Sequence, residues 1–165
     1  MRIAIFGGAF DPPHLGHLEL LEKALGLKFF DQIWLIPTFI PPLKMDNKNN
    51  DSVASPEERL EMCRLLVENL RRQCHSERSE ESHEILRLMP QNDIRVLDLE
   101  IKRRGKSYTI ETVRALKKLY PEDQFSFLIG SDWVVNLGKW SKIDELYKEV
   151  EFISLPRTKI SSSKI

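Results

Sequence analysis

Hydrophobic positions along the chain switch between two periods. Ile3-Ala4-Ile5-Phe6 is an unbroken apolar run, halted by Gly7-Gly8. Such a run, bounded by turn residues, predicts a strand buried on both faces. From about Gly16 to Leu25 the spacing turns helical. Ile33-Trp34-Leu35-Ile36 predicts a second buried strand, stopped by Pro37 and by Pro41-Pro42. Ser55-Pro56-Glu57-Glu58 then opens the clearest helix. Ser55 caps it, Pro56 takes the first helical position, and Glu58 closes a capping box. Leu60, Cys63, Leu66, Val67 and Leu70 follow at helical spacing along one face. Beyond them, 94–99 reads as strand, 110–119 as helix, 125–129 as strand, 143–147 as helix and 150–155 as strand.

Short apolar strands alternating with helices predict an α/β fold: a Rossmann-like, doubly wound parallel sheet with helices on both faces. In such a sheet the site is expected outside the C-terminal strand ends, where the first βα loop commonly holds phosphate. A single domain is expected over 1–165, since about 100–200 residues per domain is usual. Two stretches break the pattern. Residues 44–52 are polar and loop-like, and 71–91 reads as an inserted polar segment rich in Ser, Glu and Arg. Its Cys74, His75 and His83 lack a fourth ligand and match no zinc spacing, so no metal is assigned there.

Charge narrows the classes of function. Lys+Arg is 25 and Asp+Glu is 25, a formal net charge of zero. That balance lacks the positive field of a non-specific nucleic-acid binder. Lys102-Arg103-Arg104 is the one dense basic run and reads as a solvated loop. No apolar stretch approaches the roughly 20 residues of a membrane span, and the opening run is too short for a signal-peptide core. Cys63 and Cys74 suggest no disulfide framework, so a reducing cytoplasm is expected. The pattern leaves a homo-oligomer open.

The chemistry concentrates in Gly7-Gly8-Ala9-Phe10-Asp11-Pro12-Pro13-His14-Leu15-Gly16-His17, where the first strand must turn into a helix. Glycines there let a ligand approach the backbone, and helix N-terminal N–H groups attract anions. His14 and His17 are three apart, so both rings face the same way in the first turn. Two imidazoles in that position suit phosphate oxygens. No Gly-Lys-Ser/Thr follows, so this is not a P-loop.

GGAFDPPHLGH resembles the GGxFDPxHxGH signature of the nucleotidylyltransferase superfamily, whose HxGH binds nucleoside-triphosphate phosphates. Further segments are similar to the bacterial nicotinate-mononucleotide adenylyltransferases: Ile36-Pro37-Thr38, Pro41-Pro42-Leu43-Lys44, Arg104-Gly105-Lys106-Ser107-Tyr108-Thr109, Phe127-Leu128-Ile129-Gly130-Ser131-Asp132, Trp140, and Ile160-Ser161-Ser162-Ser163-Lys164-Ile165. The resemblance implies transfer of the adenylyl group of ATP, with Mg²⁺, to nicotinate mononucleotide, giving deamido-NAD and pyrophosphate. It implies ATP contacts from Gly7, Gly8, Ala9, Phe10, His14, His17, Gly130, Asp132, Ser161, Ser162 and Ser163. Mononucleotide contacts are implied for Thr38, Lys44, Tyr108, Thr109, Asp132 and Trp140. His14, His17 and Lys44 would be the catalytic cations and donors, with no protein nucleophile. Trp140 is either a ring that stacks on the pyridine or a core residue; Trp34 and Trp133 read as packing. Ala9 stands where the family has Thr or Ser, Leu43 where it has His, and the connection from Pro156 to Ile160 and the C-terminus are shorter than usual. Two other readings stay open: a phosphopantetheine adenylyltransferase, although that family has TxGH in place of HLGH, and a nucleotide-binding remnant with little catalysis.

Overall fold

Alternate residues of the first strand feed opposite layers of the core. Ile3 and Ile5 face one side and Ala4 and Phe6 the other, all of them buried. A computed structural model describes residues 1–42, 54–76 and 94–157, with backbone alone for 73–76. The elements are β1 (Arg2–Gly8), α1 (Leu15–Gly26), β2 (Gln32–Pro37), α2 (Pro56–Ser76), β3 (Ile94–Val96), α3 (Leu99–Arg103), α4 (Thr109–Leu119), β4 (Gln124–Gly130), a 3-10 segment (Ser131–Lys139), α5 (Ile143–Glu149) and β5 (Glu151–Leu155). The five strands form one sheet in the order β3-β2-β1-β4-β5, and every pairing is parallel.

This order follows from chain connectivity. Two outward steps, β1-α1-β2 and β2-α2-β3, lay α1 and α2 on one face, where Leu20, Leu21, Ala24, Cys63, Val67 and Leu70 meet Phe6 and Leu35. The chain then returns past β1 to β4, and right-handed crossovers place α4 and α5 on the other face. There Ile110, Val113, Leu116 and Leu146 pack on Ile3, Ile5 and Phe127. Each fully buried side chain of this size contributes about 1.5–3 kcal/mol. The direction reverses between β1 and β4, and the loops at their C-terminal ends therefore diverge around a crevice.

The capping box at Ser55 forms as the sequence implies: Ser55 N–H donates to Glu58 at 2.7 Å, and Glu58 N–H donates to Ser55 Oγ at 3.2 Å. Burial drives the Cys63 thiol pKa up to about 12, so this cysteine is inert core. The helix that it belongs to continues through Ser76, beyond the Arg71 at which the inserted segment was expected to begin. The remainder of that segment, 77–91, lies outside the described residues, as does 44–52.

Three expectations need correction. The strand expected over 94–99 stops at Val96, because Asp98 and the residues after it turn into α3. The basic run is then not a solvated loop throughout. Lys102 pairs with Asp98 at 3.0 Å, and Arg103 turns inward to donate to Thr112 Oγ1 at 3.2 Å. Trp133 is not a packing residue, being 41% exposed on the 3-10 segment, whereas Trp34 is buried as expected.

The same region buries Glu100. Burial raises its pKa, opposed by hydrogen bonds from Thr112 and Ser107 and by the charge of Arg103. A carboxyl with a raised folded pKa stabilises the fold while protonated, and that contribution is lost as pH rises through the raised value. Glu100→Gln keeps an acceptor and never ionises, so it is expected to match or exceed native stability near pH 8, the advantage shrinking toward about pH 5. Glu100→Ala strands the Thr112 hydroxyl donor and is expected to cost about 1–3 kcal/mol. Urea unfolding of both variants at the two pH values checks this; a Gln variant less stable than the native chain at the higher pH would contradict it.

Candidate active site

The turn from β1 to α1 is built by its two histidines. His14 is the N-cap of α1, and its Nδ1 accepts the Gly16 N–H at 3.1 Å. His17 is three residues on, and its Nδ1 accepts the His14 N–H at 3.1 Å. The pair thus makes a capping box from imidazoles, satisfying two helix N–H groups that would otherwise be orphaned. With both Nδ1 atoms accepting, each neutral ring carries its proton on Nε2. The rings lie 3.9 Å apart between centroids at 32°, and the Phe10 ring packs beneath His17 at 4.8 Å. Phe10 itself is buried with φ +49°, so it can offer a ligand only its backbone.

Burial lowers the His14 pKa, and the charge of Arg157 lowers it further against a smaller opposing effect from Asp132. A histidine with a depressed folded pKa stabilises the fold above its ordinary pKa and loses that contribution as pH falls through the depressed one. Thermal unfolding without ligand is therefore expected to show a stability loss between about pH 7 and about pH 5 that His14→Asn, which keeps a cap acceptor, lacks. Parallel pH profiles for the two proteins would contradict this.

Arg157 follows β5 and crosses the mouth of the crevice. Its Nη2 lies 2.9 Å from His14 Nε2, and its Nη1 3.4 Å from Asp132 Oδ2. Two glycines make room here: a Cβ at Gly16 would run into the Arg157 guanidinium, and one at Gly130 would stand 2.5 Å from Asp132 Oδ1 and 3.4 Å from Arg157 Cδ. Arg157 can only donate, and its Nη2 also lies 3.3 Å from His14 Nδ1, so the direction of these contacts follows the ring's tautomer. With Nδ1 accepting from Gly16, Nε2–H and the guanidinium would present two donors side by side. An oxyanion is the chemical species that satisfies both. The ends of β1, β4 and β5 thus meet at the reversal of strand order, an arrangement whose donors suit an anion.

Across the neighbouring strand, Thr38 N–H donates to the Gly8 carbonyl at 2.9 Å, so the exit of β2 lies beside the glycine turn. Thr38 Oγ1 is buried and makes no hydrogen bond among the described residues. Tyr108 caps α4 without a side-chain bond, and Thr109 begins that helix. Trp140 is half-buried and meets Phe127 edge-on at 5.5 Å, with Phe152 at 6.0 Å. Among the described residues, no group of three His, Cys, Asp or Glu side chains could hold a metal ion, and no helix is long and apolar enough to cross a membrane.

The cytidylyltransferase-like family model matches residues 5–165. A protein of Shouchella clausii named "Probable nicotinate-nucleotide adenylyltransferase" is 39% identical over 94% of this chain and 68% of its own length. The nicotinate-nucleotide adenylyltransferase of Bacillus subtilis is 36% identical over 94% of this chain and 69% of its own. The chain belongs to the nicotinate-nucleotide adenylyltransferase family, within the cytidylyltransferase-like proteins. The fold agrees: a solved Plasmodium falciparum nicotinic acid mononucleotide adenylyltransferase, complexed with NaAD, superposes with a TM-score of 0.67 at 21% identity, covering 97% of this chain and 77% of that one.

Of the residues that the family resemblance singles out, Gly7, Gly8, Ala9, His14, His17, Gly130 and Asp132 come together around the crevice, and Thr38 adjoins them. Tyr108 and Trp140 pack against the α4 side of the core. Lys44, Ser161, Ser162 and Ser163 lie outside the described residues. Two arginines at these loops went unread in the sequence. Arg157 had no short-range signal, since its partners are 25 and 143 positions away. Arg59 did have one: it stands four residues before Cys63, on the apolar stripe of α2.

Proposed function

We propose that the chain transfers the adenylyl group of ATP to nicotinate mononucleotide, releasing pyrophosphate and forming deamido-NAD. The carrying observation is the Arg157 guanidinium held against the His14 ring at the N-terminus of α1, with the His17 ring stacked on His14. The 5′-phosphate of the mononucleotide attacks the α-phosphorus of ATP in line, the bond to the bridging oxygen of pyrophosphate breaks, and no covalent enzyme intermediate is needed. The protein's work is then to hold two anions in register and to stabilise charge on the transferring and leaving groups. Neutral histidines anchored by their Nδ1 atoms are fixed donors that need no reorganisation as that charge develops. Mg²⁺ belongs to this reading as a companion of ATP, held by phosphate oxygens, since magnesium is commonly bound through substrate phosphates. Lys44 would add a point charge on phosphate, Ser161, Ser162 and Ser163 would hold the β- and γ-phosphates, and Trp140 would face the pyridine ring.

Nicotinate mononucleotide as acceptor is supported by the names of the relatives and by the SYT and Gly130-to-Trp140 segments. Pyrophosphate release is measured with ATP and Mg²⁺ plus nicotinate mononucleotide, nicotinamide mononucleotide or phosphopantetheine. The acid mononucleotide is expected to be used best. Faster release with phosphopantetheine would overturn the acceptor assignment, and no release with any acceptor would leave a nucleotide-binding remnant.

A further inference from the structure

Arg59 sits near the start of α2, 2% exposed, on a helix face whose other inward positions are apolar. Its guanidinium spans two loops. Nη1 donates to the carbonyls of Ala9 at 2.7 Å and Thr38 at 2.8 Å, and Nη2 donates to that of Phe39 at 2.9 Å. Ala9 follows the glycine turn after β1, whereas Thr38 and Phe39 leave β2. The Thr38–Phe39 peptide, whose carbonyl accepts from Arg59, is gripped from its other side by Ser107. Its N–H donates to Ser107 Oγ at 2.8 Å, and the Ser107 N–H donates to the Ile40 carbonyl at 3.0 Å. One peptide plane therefore ties together the loops after β1 and β2 and the loop that leads into α4.

Burying a cation is costly, and here the two Nη atoms carry the compensation through three carbonyls while Nε makes no hydrogen bond among the described residues. An apolar side chain at this stripe position would serve the fold alone. What arginine adds is a planar fork of fixed geometry, which sets the separation of three carbonyls as a lysine cannot. In-line transfer needs its reacting atoms roughly 3–3.5 Å apart, and an error of about 1 Å can cost about 10²-fold in rate.

We infer that Arg59 is a positioning residue for adenylyl transfer: acting through the Ala9, Thr38 and Phe39 carbonyls, it fixes the spacing between the ATP-side loop and the acceptor-side loop, and Ser107 forms the second half of the same clamp. The inference rests on the adenylyl-transfer reading. Each loop alone still carries its own ligand contacts when the clamp is loosened, so alignment is lost before affinity.

The test uses the full chain with Arg59→Lys, Ser107→Ala and the double variant, measuring kcat and, separately, the Kd of ATP and of nicotinate mononucleotide. Arg59→Lys is expected to lower kcat roughly 10- to 100-fold. Both Kd values should move less than about threefold. Because both side chains act through the Thr38–Phe39 peptide, the double variant should fall no more than about threefold below the poorer single one. If Arg59→Lys does not fold, Arg59→Gln, which keeps two amide donors, is measured in the same way. A kcat within about threefold of the unaltered chain, Kd losses as large as the kcat loss, or fully multiplicative losses in the double variant would overturn the clamp. An unaltered chain that releases no pyrophosphate would overturn the adenylyl-transfer reading and this role with it. An active chain indifferent to Arg59→Lys would overturn the role of Arg59 alone.

Discussion

His14→Asn and His17→Gln are each expected to lower kcat by roughly 10²–10³ while leaving the melting temperature near that of the unaltered chain, the range typical for removing a preorganised donor at developing charge. The choice of replacements follows from the double task of these rings. Each Nδ1 accepts a backbone N–H at 3.1 Å and so caps α1. Asn at an N-cap and Gln three residues later can accept those same N–H groups. Neither places a ring N–H where Nε2 stood. Alanine would confuse the two tasks, because losing a cap costs about 0.5–2 kcal/mol of stability. Steady-state pyrophosphate release and thermal unfolding of each variant separate the two. A tenfold or smaller loss of kcat in a well-folded variant would show that the pair is only a cap.

Arg157→Gln is expected to weaken ATP binding about 10- to 100-fold, since a hydrogen bond to a charged group is worth about 1.5–3 kcal/mol and 1.4 kcal/mol is tenfold in affinity. The guanidinium stands 2.9 Å from His14 Nε2, and its side chain is largely covered by the crevice. A cation held against a donor gains when an oxyanion arrives between them. Calorimetric titration with ATP and Mg²⁺ reads the effect. Tighter binding in the variant would contradict this role and make Arg157 a plug that ATP must displace.

Much of the fold was legible because its determinants are local. The capping box at Ser55 and Glu58, the apolar runs of β1, β2 and β4, and the period of α4 are each settled within about a dozen residues. The boundary of β3 was not, because Leu97 and Leu99 extend the apolar run although the backbone has already turned at Asp98 toward α3. The 3-10 segment from Ser131 was missed for a related reason. Trp133, Val134 and Val135 look like core by composition, yet Val135 is 84% exposed. In the site, the histidine pair was legible from a three-residue spacing. Its partner Arg157, and the grip of Arg59 on Ala9 and Thr38, depend on strand order, which brings distant loops together and leaves no local pattern.

On the proposed reading, the α-phosphorus of ATP moves to the mononucleotide. Incubating the unaltered chain with Mg²⁺, nicotinate mononucleotide and ATP labelled at the α-phosphorus, then separating the products, measures this directly. The label should appear in deamido-NAD, in amounts equal to the pyrophosphate released. Label that stays in ATP, or that emerges as AMP with no dinucleotide formed, would contradict the claim.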